Sequence, residues 1–126
     1  MRVFAAGGAL LGALGVVLGA FGAHALRGTL DESSLRIWHT AVEYQFWHAL
    51  ALFALFALAL APLPPSRWLR ASAYAFSLGT VLFSGSLYAL ALGAPKFVGM
   101  VTPLGGIALI AGWLAAAVAC LRARSD

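Results

Sequence analysis

The sequence predicts an all-α protein that spans a membrane as an antiparallel bundle of four helices. Of its 126 residues, 63% are hydrophobic and only 10% are charged, whereas a soluble domain is usually about half apolar and about a quarter charged. The apolar residues are gathered into four segments, each close to the roughly 20 residues that a helix needs to cross a bilayer. The short connections between them favour antiparallel neighbours.

The four predicted helices form one membrane domain that covers residues 1–126. Their expected bounds are about 3–23, 30–61, 66–92 and 103–121. The connection between the second and third helices contains three prolines, at positions 62, 64 and 65, which make it short and stiff. The second helix is expected to project beyond the hydrocarbon, because about 32 residues at about 1.5 Å each exceed its thickness.

Capping residues predict where the later helices begin. Thr29 and Glu32 fit an S/T-x-x-E capping box, so the second helix is expected to begin near Leu30. Ser66 is the expected N-cap of the third helix. Thr102 is the expected N-cap of the fourth helix, with the proline that follows it at the first helical position.

The first segment has two interpretations. Arg2, an apolar stretch and the tripeptide Ala23-His24-Ala25 resemble a cleavable secretory signal. A glycine stripe disfavours cleavage, because a disposable signal has no use for a face on which another helix packs. The stripe recurs at intervals of four, three, four and three residues: Gly8, Gly12, Gly15, Gly19 and Gly22. A small-residue stripe in the fourth segment, which includes Gly105 and Gly112, predicts a second packing face.

The basic residues lie near the ends of the apolar segments, so the formal net charge of +4 indicates headgroup anchors and not nucleic-acid binding. Five of the eight would share one side with both termini: Arg2, Arg67, Arg70, Arg122 and Arg124. The others are Arg27, Arg36 and Lys96. This majority predicts that both termini are cytoplasmic. The four tryptophans are interpreted as anchors in the interfacial belts: Trp38, Trp47, Trp68 and Trp113.

An ionisable cluster leads directly into the most apolar run of the chain. "WHTAVEYQFWH" at 38–48 is followed by "ALALFALFALALA". His39 and Glu43 are four residues apart and share a helix face, whereas Tyr44 and His48 share a second face that Gln45 borders. The two faces point in different directions, so the cluster is not one chelate and at least one face must meet another helix.

The third segment supplies a partner for that face. Small and hydroxyl-bearing side chains recur along one side of it: Ala73, Ser77, Thr80, Ser84 and Tyr88. Lipid would leave the polar groups of the second helix unpaired, at several kcal/mol each. His48 is therefore expected to be buried, with its side chain within hydrogen-bond reach of the first or third helix.

These residues define a candidate site with two interpretations, a binding or proton-handling site or a hydrogen-bond network that fixes helix register. Its members are His24, Glu43, Tyr44, Gln45, His48, Ser84 and Tyr88. No metal or haem is predicted, because zinc needs about three protein ligands and a bis-histidine haem needs two histidines facing one cavity. The single cysteine, Cys120, excludes an intramolecular disulfide and is interpreted as a small apolar residue.

Four motifs in order, followed by "GW" at 112–113, resemble the YgdD/YwdK-like small membrane proteins, a family of unknown function with eukaryotic relatives. They are "GAFGAH" at 19–24, "YQFWH" at 44–48, "FSGSLY" at 83–88 and "TPLGG" at 102–106. The resemblance covers nearly the whole chain and implies a bacterial inner-membrane protein of four helices with no assigned activity. The matching positions are Gly19, Phe21, Gly22, His24, Tyr44, Gln45, His48, Ser84, Gly85, Ser86, Tyr88, Thr102, Pro103, Gly105 and Gly106.

The chain departs from the family pattern at two positions. The pattern often has another residue where Ala25 stands, and it has no histidine where His39 stands. The second departure disfavours a shared metal site at His39 and favours Tyr44, Gln45 and His48 as the site.

The function favoured by these patterns is non-enzymatic. The chain is expected to bind a lipid-like or small polar ligand, or a membrane partner, through an intramembrane polar site. One alternative is a permease for small solutes or protons that works as a homo-oligomer. A second alternative is a metal- or haem-dependent redox protein. The expected partners are the lipid bilayer and the ligand, without nucleic acid.

Overall fold

The computed structural model describes residues 1–61 and 66–123 and consists of four long α-helices joined by short connections. The helices are α1 (Arg2–His24), α2 (Glu32–Leu60), α3 (Arg67–Ala91) and α4 (Val101–Arg122), and a 3-10 helix at Lys96–Met100 precedes α4. All four are long and apolar enough to cross a membrane, which confirms the predicted fold class. The predicted proline-rich connection and Arg124 lie outside the described residues.

The start of α2 differs from the prediction. The helix begins at Glu32, and its N-cap is Asp31, whose carboxylate accepts a hydrogen bond of 2.7 Å from the backbone N–H of Ser34. The Thr29 hydroxyl instead donates back to the Ala25 carbonyl at 3.4 Å. The predicted capping box is therefore wrong, because a carboxylate at the cap satisfies the N–H group and also interacts favourably with the positive end of the helix.

The prediction for α3 is confirmed and that for α4 is wrong. Ser66 caps α3, since its hydroxyl accepts from the backbone N–H of Leu69 at 3.4 Å. Thr102 is not a cap, because α4 begins one residue before it and continues from the 3-10 helix, whose carbonyls already accept from the first N–H groups. The Thr102 hydroxyl pairs instead with the hydroxyl of Ser86 on α3.

The helices pack in chain order, α1 against α2, α2 against α3 and α3 against α4. Within residues 1–61 and 66–123, α1 and α4 share no comparable interface, so the bundle is open and not closed into a ring. α1 also meets α3, where the rings of Phe4 and Tyr74 pack edge to face with centroids 4.8 Å apart. Leu52 of α2 and Phe76 of α3 are fully buried at the centre of the core.

Glycines allow α3 and α4 to approach almost backbone to backbone. A Cβ at Gly105 would clash with the backbone nitrogen of Phe83 and lie 2.8 Å from its Cα. A Cβ at Gly79 would lie 3.0 Å from the backbone nitrogen of Leu109. The close approach lets the Ser72 hydroxyl reach across to the carbonyl of Gly112 at 2.8 Å.

We predict that Gly105→Ala destabilises the protein by about 1–3 kcal/mol, because the added methyl group forces the α3 and α4 backbones apart. Gly106→Ala is the matched control, since a Cβ there would make an ordinary contact of 3.8 Å with the Phe83 ring. Both variants gain the same helix propensity. Denaturant unfolding in detergent measures the difference, and equal stabilities would contradict the close approach.

Candidate functional site

Gln45 joins three helices through one buried side chain. It lies on α2 and is only 4% exposed. Its Nε2 donates to the carbonyl of Leu11 on α1 at 2.7 Å, and its Oε1 accepts from the Tyr88 hydroxyl on α3 at 2.7 Å. The amide therefore gives hydrogen-bond partners to its own polar atoms, to the Leu11 carbonyl and to the Tyr88 hydroxyl. Lipid chains at this depth would offer no hydrogen-bond partner.

Gly15 lies beside the hydrogen bond between Gln45 and the Leu11 carbonyl. In an α-helix the Cβ of residue i+4 leans back towards the N-terminus, on the side of the carbonyl of residue i. Gly15 has no side chain, and a Cβ there would lie 3.7 Å from the Gln45 Nε2 and 3.2 Å from the Phe46 ring. The glycine therefore allows α2 to approach α1 closely at this bond.

The same arrangement occurs one heptad further along the interface. The indole N–H of Trp38 donates to the carbonyl of Leu18 at 2.9 Å, and the residue four positions after Leu18 is Gly22. A Cβ at Gly22 would lie 2.6 Å from the Trp38 Nε1. The two acceptors are seven residues apart on α1, and the two donors are seven residues apart on α2 in the opposite direction. This spacing is what antiparallel packing of the two helices requires. Two donors on α2 therefore bond to two carbonyls of α1, each one turn before a glycine.

His48 joins α2 to α4. It is 4% exposed, its Nε2 lies 3.1 Å from the Trp113 Nε1, and its Nδ1 lies 2.7 Å from the Tyr44 carbonyl oxygen. An indole N–H can only donate and a carbonyl can only accept, so Nε2 must be the acceptor and Nδ1 must carry the hydrogen. The environment thus selects one neutral tautomer. The expected partner on α1 or α3 is wrong, since the hydrogen bond goes to α4.

Some hydroxyl groups of the α3 stripe form hydrogen bonds to α2, and others form them within α3. The Ser84 hydroxyl donates across to the carbonyl of Ala41 at 2.8 Å, whereas Ser77 donates to Ala73 within α3. Thr80 is buried, and its hydroxyl has no partner in the described part of the chain. Tyr44 packs its ring against Phe83 of α3, with centroids 4.5 Å apart. The structure therefore brings Tyr44, Gln45, His48, Ser84 and Tyr88 together between the helices.

The remaining candidates lie outside this network. His24 is exposed at the end of α1. Glu43 pairs with His39 at 3.2 Å, and these side chains are 44% and 74% exposed. Among residues 1–61 and 66–123 no three histidine, cysteine or carboxylate side chains are grouped in a way that could hold a metal ion. The exposed pair and the buried network are separate features of α2.

The belt interpretation is wrong for two tryptophans. Trp38 is 5% exposed and packs against Tyr88 with ring centroids 4.7 Å apart. Trp113 lies near the middle of α4 and bonds to His48. Neither tryptophan was predicted from the sequence to be a member of the network. For Trp38 a signal was present, because it precedes Gln45 by the same seven residues that separate Gly15 from Gly22.

A groove opens between the last turns of α1 and the first turns of α2. It has a volume of about 670 Å³, within the range of ligand sites. Its lining combines apolar or small residues with charged and polar ones. The first group includes Gly19, Gly22, Ala23, Leu35, Trp38 and Val42, and the second includes Arg27, Glu32, Arg36, His39 and Thr40.

Fold and site together define a multi-pass helical membrane protein whose buried polar side chains bond its helices to one another. The sequence profile of a family described as "Protein of unknown function (DUF423)" matches residues 18–106, and the chain belongs to this family.

Its relatives support the same assignment. The chain is 41% identical to the UPF0382 membrane protein YwdK of Bacillus subtilis, over 97% of this chain and 98% of that protein. It is 43% identical to the UPF0382 inner membrane protein YgdD of Escherichia coli K12, over 97% of this chain and 89% of that protein. No solved structure matches the chain. The resemblance inferred from the four motifs is confirmed.

We predict that Trp113→Phe lowers stability by about 0.6–1.7 kcal/mol, the range of interhelical hydrogen bonds in membranes, because it leaves the His48 Nε2 without a donor. Trp47→Phe is the matched control, since the two tryptophans are 52% and 53% exposed and only Trp113 bonds to His48. Unfolding in detergent compares the two variants. A loss that is equal in both would mean that the indole N–H contributes nothing.

Proposed function

We propose that this protein is a non-enzymatic membrane protein that binds a lipid-like ligand in the groove between α1 and α2. The observation that carries the proposal is the groove's polarity. Small and apolar residues such as Gly19 and Val42 form one part of its lining, and Arg27, Glu32 and Arg36 form another. Such a lining matches a molecule with an apolar chain and a charged end.

The position of the groove along the helices supports a lipid. Its charged residues lie in the connection after α1 and in the first turns of α2. Val42 lies ten residues after Glu32, which is about 15 Å deeper along the helix. This spacing supports a headgroup beside Glu32 and Arg36 and an acyl chain beside Gly19 and Val42.

The buried polar side chains serve this function indirectly. Gln45 and His48 were expected to contact the ligand, but their polar atoms are occupied by Leu11, Tyr88, Tyr44 and Trp113. A ligand would have to break these bonds. We therefore assign Gln45 to holding α1 against α2, which shapes the groove, and His48 to holding α4 against α2. Trp38 belongs both to the set of interhelical hydrogen bonds and to the groove, since it bonds to α1 and lines the groove.

We predict that Gly19→Leu removes most of the phospholipid that co-purifies with the protein, because the new side chain adds bulk to the groove lining beside Val42, where a Cβ would lie 3.3 Å from the Val42 Cγ1. Gly12→Leu is the matched control, as it makes the same change where α1 meets Ala49 of α2, outside the groove. Native mass spectrometry counts the bound lipids, and thermal unfolding checks that both variants are folded. A folded Gly19→Leu variant with undiminished lipid would contradict the proposal.

We also propose that both termini are cytoplasmic, which sets the groove on the opposite side of the membrane. The basic residues described on the termini side are Arg2, Arg67, Arg70 and Arg122, and the excess of positive charge faces the cytoplasm in most membrane proteins. A reporter that is active only in the cytoplasm should be active when fused to the C-terminus. Activity only from a periplasmic reporter at that position would reverse the orientation.

A further inference from the structure

Building on the lipid-binding function proposed above, we propose that the groove selects a zwitterionic phospholipid with a primary ammonium group, its phosphate at Arg27 and its ammonium at Glu32. The groove lining carries both signs of charge, since Arg27, Arg36 and Glu32 all belong to it. A headgroup with a phosphodiester and an ammonium group matches that mixture, whereas a headgroup of one sign satisfies only part of it.

We assign the phosphate to Arg27, because the other arginine of the lining, Arg36, lies 3.8 Å from the Glu32 carboxylate. Arg27 lies in the connection between α1 and α2, and its side chain has no carboxylate oxygen within 4 Å among the residues that the structure describes. A guanidinium group presents five N–H donors in a planar fork that matches the oxygens of a phosphate. The phosphate is common to all phospholipids, so Arg27 supplies affinity without distinguishing between headgroups.

Glu32 is the available anion. Its side chain is 91% exposed, and its contact with the Arg36 guanidinium is long, at 3.8 Å, so the pair contributes little. The two nearby carboxylates on the same helix end are already engaged. Asp31 accepts the N-cap hydrogen bond from Ser34, which holds the pKa of its carboxyl below the usual value, and Glu43 contacts His39.

The surroundings of the groove disfavour the other common headgroups. An anionic headgroup such as phosphoglycerol can bind Arg27 through its phosphate, but it offers no cation to the Glu32 carboxylate. A quaternary ammonium has no N–H to donate and is usually recognised by exposed aromatic faces. The aromatic residue of the lining, Trp38, is buried against Tyr88 and Gly22. A primary ammonium donates directly to the Glu32 carboxylate.

The test measures the affinity of the purified, delipidated full-length protein for three lipids with identical acyl chains. The probes are phosphatidylethanolamine, phosphatidylcholine and phosphatidylglycerol, titrated by native mass spectrometry. We expect phosphatidylethanolamine to bind about tenfold more tightly than either of the others, about 1.4 kcal/mol. Glu32→Gln should abolish that preference and leave phosphatidylcholine binding unchanged. Arg27→Gln should weaken all three.

Two controls test whether position or charge alone is responsible. Glu43→Gln removes a neighbouring carboxylate that does not line the groove, and Arg70→Gln removes an exposed arginine at the other end of the bundle. Both should keep the wild-type preference. Loss of the preference in Glu43→Gln would mean that the general field of the acidic residues selects the lipid, and it would overturn the assignment to Glu32.

The outcomes separate this inference from the proposed function. Equal affinities for the three lipids, or tightest binding of phosphatidylglycerol, would overturn the headgroup assignment. If Gly19→Leu still abolished all binding in that case, the groove would remain the lipid site without headgroup selection. If Gly19→Leu left all three affinities intact, the groove would not be the lipid site and both proposals would fail.

Discussion

The rest of the structure depends on the amide of Gln45, which bonds α1 and α3 to α2 at the same time. Water does not drive helices together inside a bilayer, because lipid chains are as apolar as the side chains themselves. Helices associate there through packing and through polar groups that have no other partner. α1 packs mainly against α2, so its position relies on the Gln45 bond, the Trp38 bond and the glycine contacts between them.

Glycines lie beside both hydrogen bonds between α1 and α2. The carbonyls of Leu11 and Leu18 accept from side chains of α2, and Gly15 and Gly22 lie one turn after them. A Cβ at Gly22 would lie 2.6 Å from the Trp38 Nε1, so an alanine there would displace the donor. At the other interface a glycine is itself the acceptor, since Ser72 donates to the carbonyl of Gly112. The glycine stripes therefore determine register as well as distance.

The sequence predicts those parts of the fold that depend on local patterns. The lengths of the apolar segments predict four spanning helices, and the cost of burying polar groups in lipid predicts that Gln45 and His48 face inwards. The partner of His48 was not predictable, because Trp113 is 65 residues away and no local pattern links the two residues. The packing order of the helices was not predictable either. The small-residue stripes on α1 and α4 indicate that each helix has a packing face, but they do not indicate which helix packs against it.

The structure also explains why position 48 is a histidine and not a serine or threonine, residues that also form hydrogen bonds between membrane helices. Position 48 must accept a hydrogen from an indole and donate one to a carbonyl, from two points on a rigid ring. A neutral imidazole offers one acceptor and one donor in that arrangement. Protonation would set an N–H of the ring against the N–H of Trp113 and break the link to α4. The network is for this reason a poor proton relay, and the groups left free to meet a ligand are the charged ones at the end of α2.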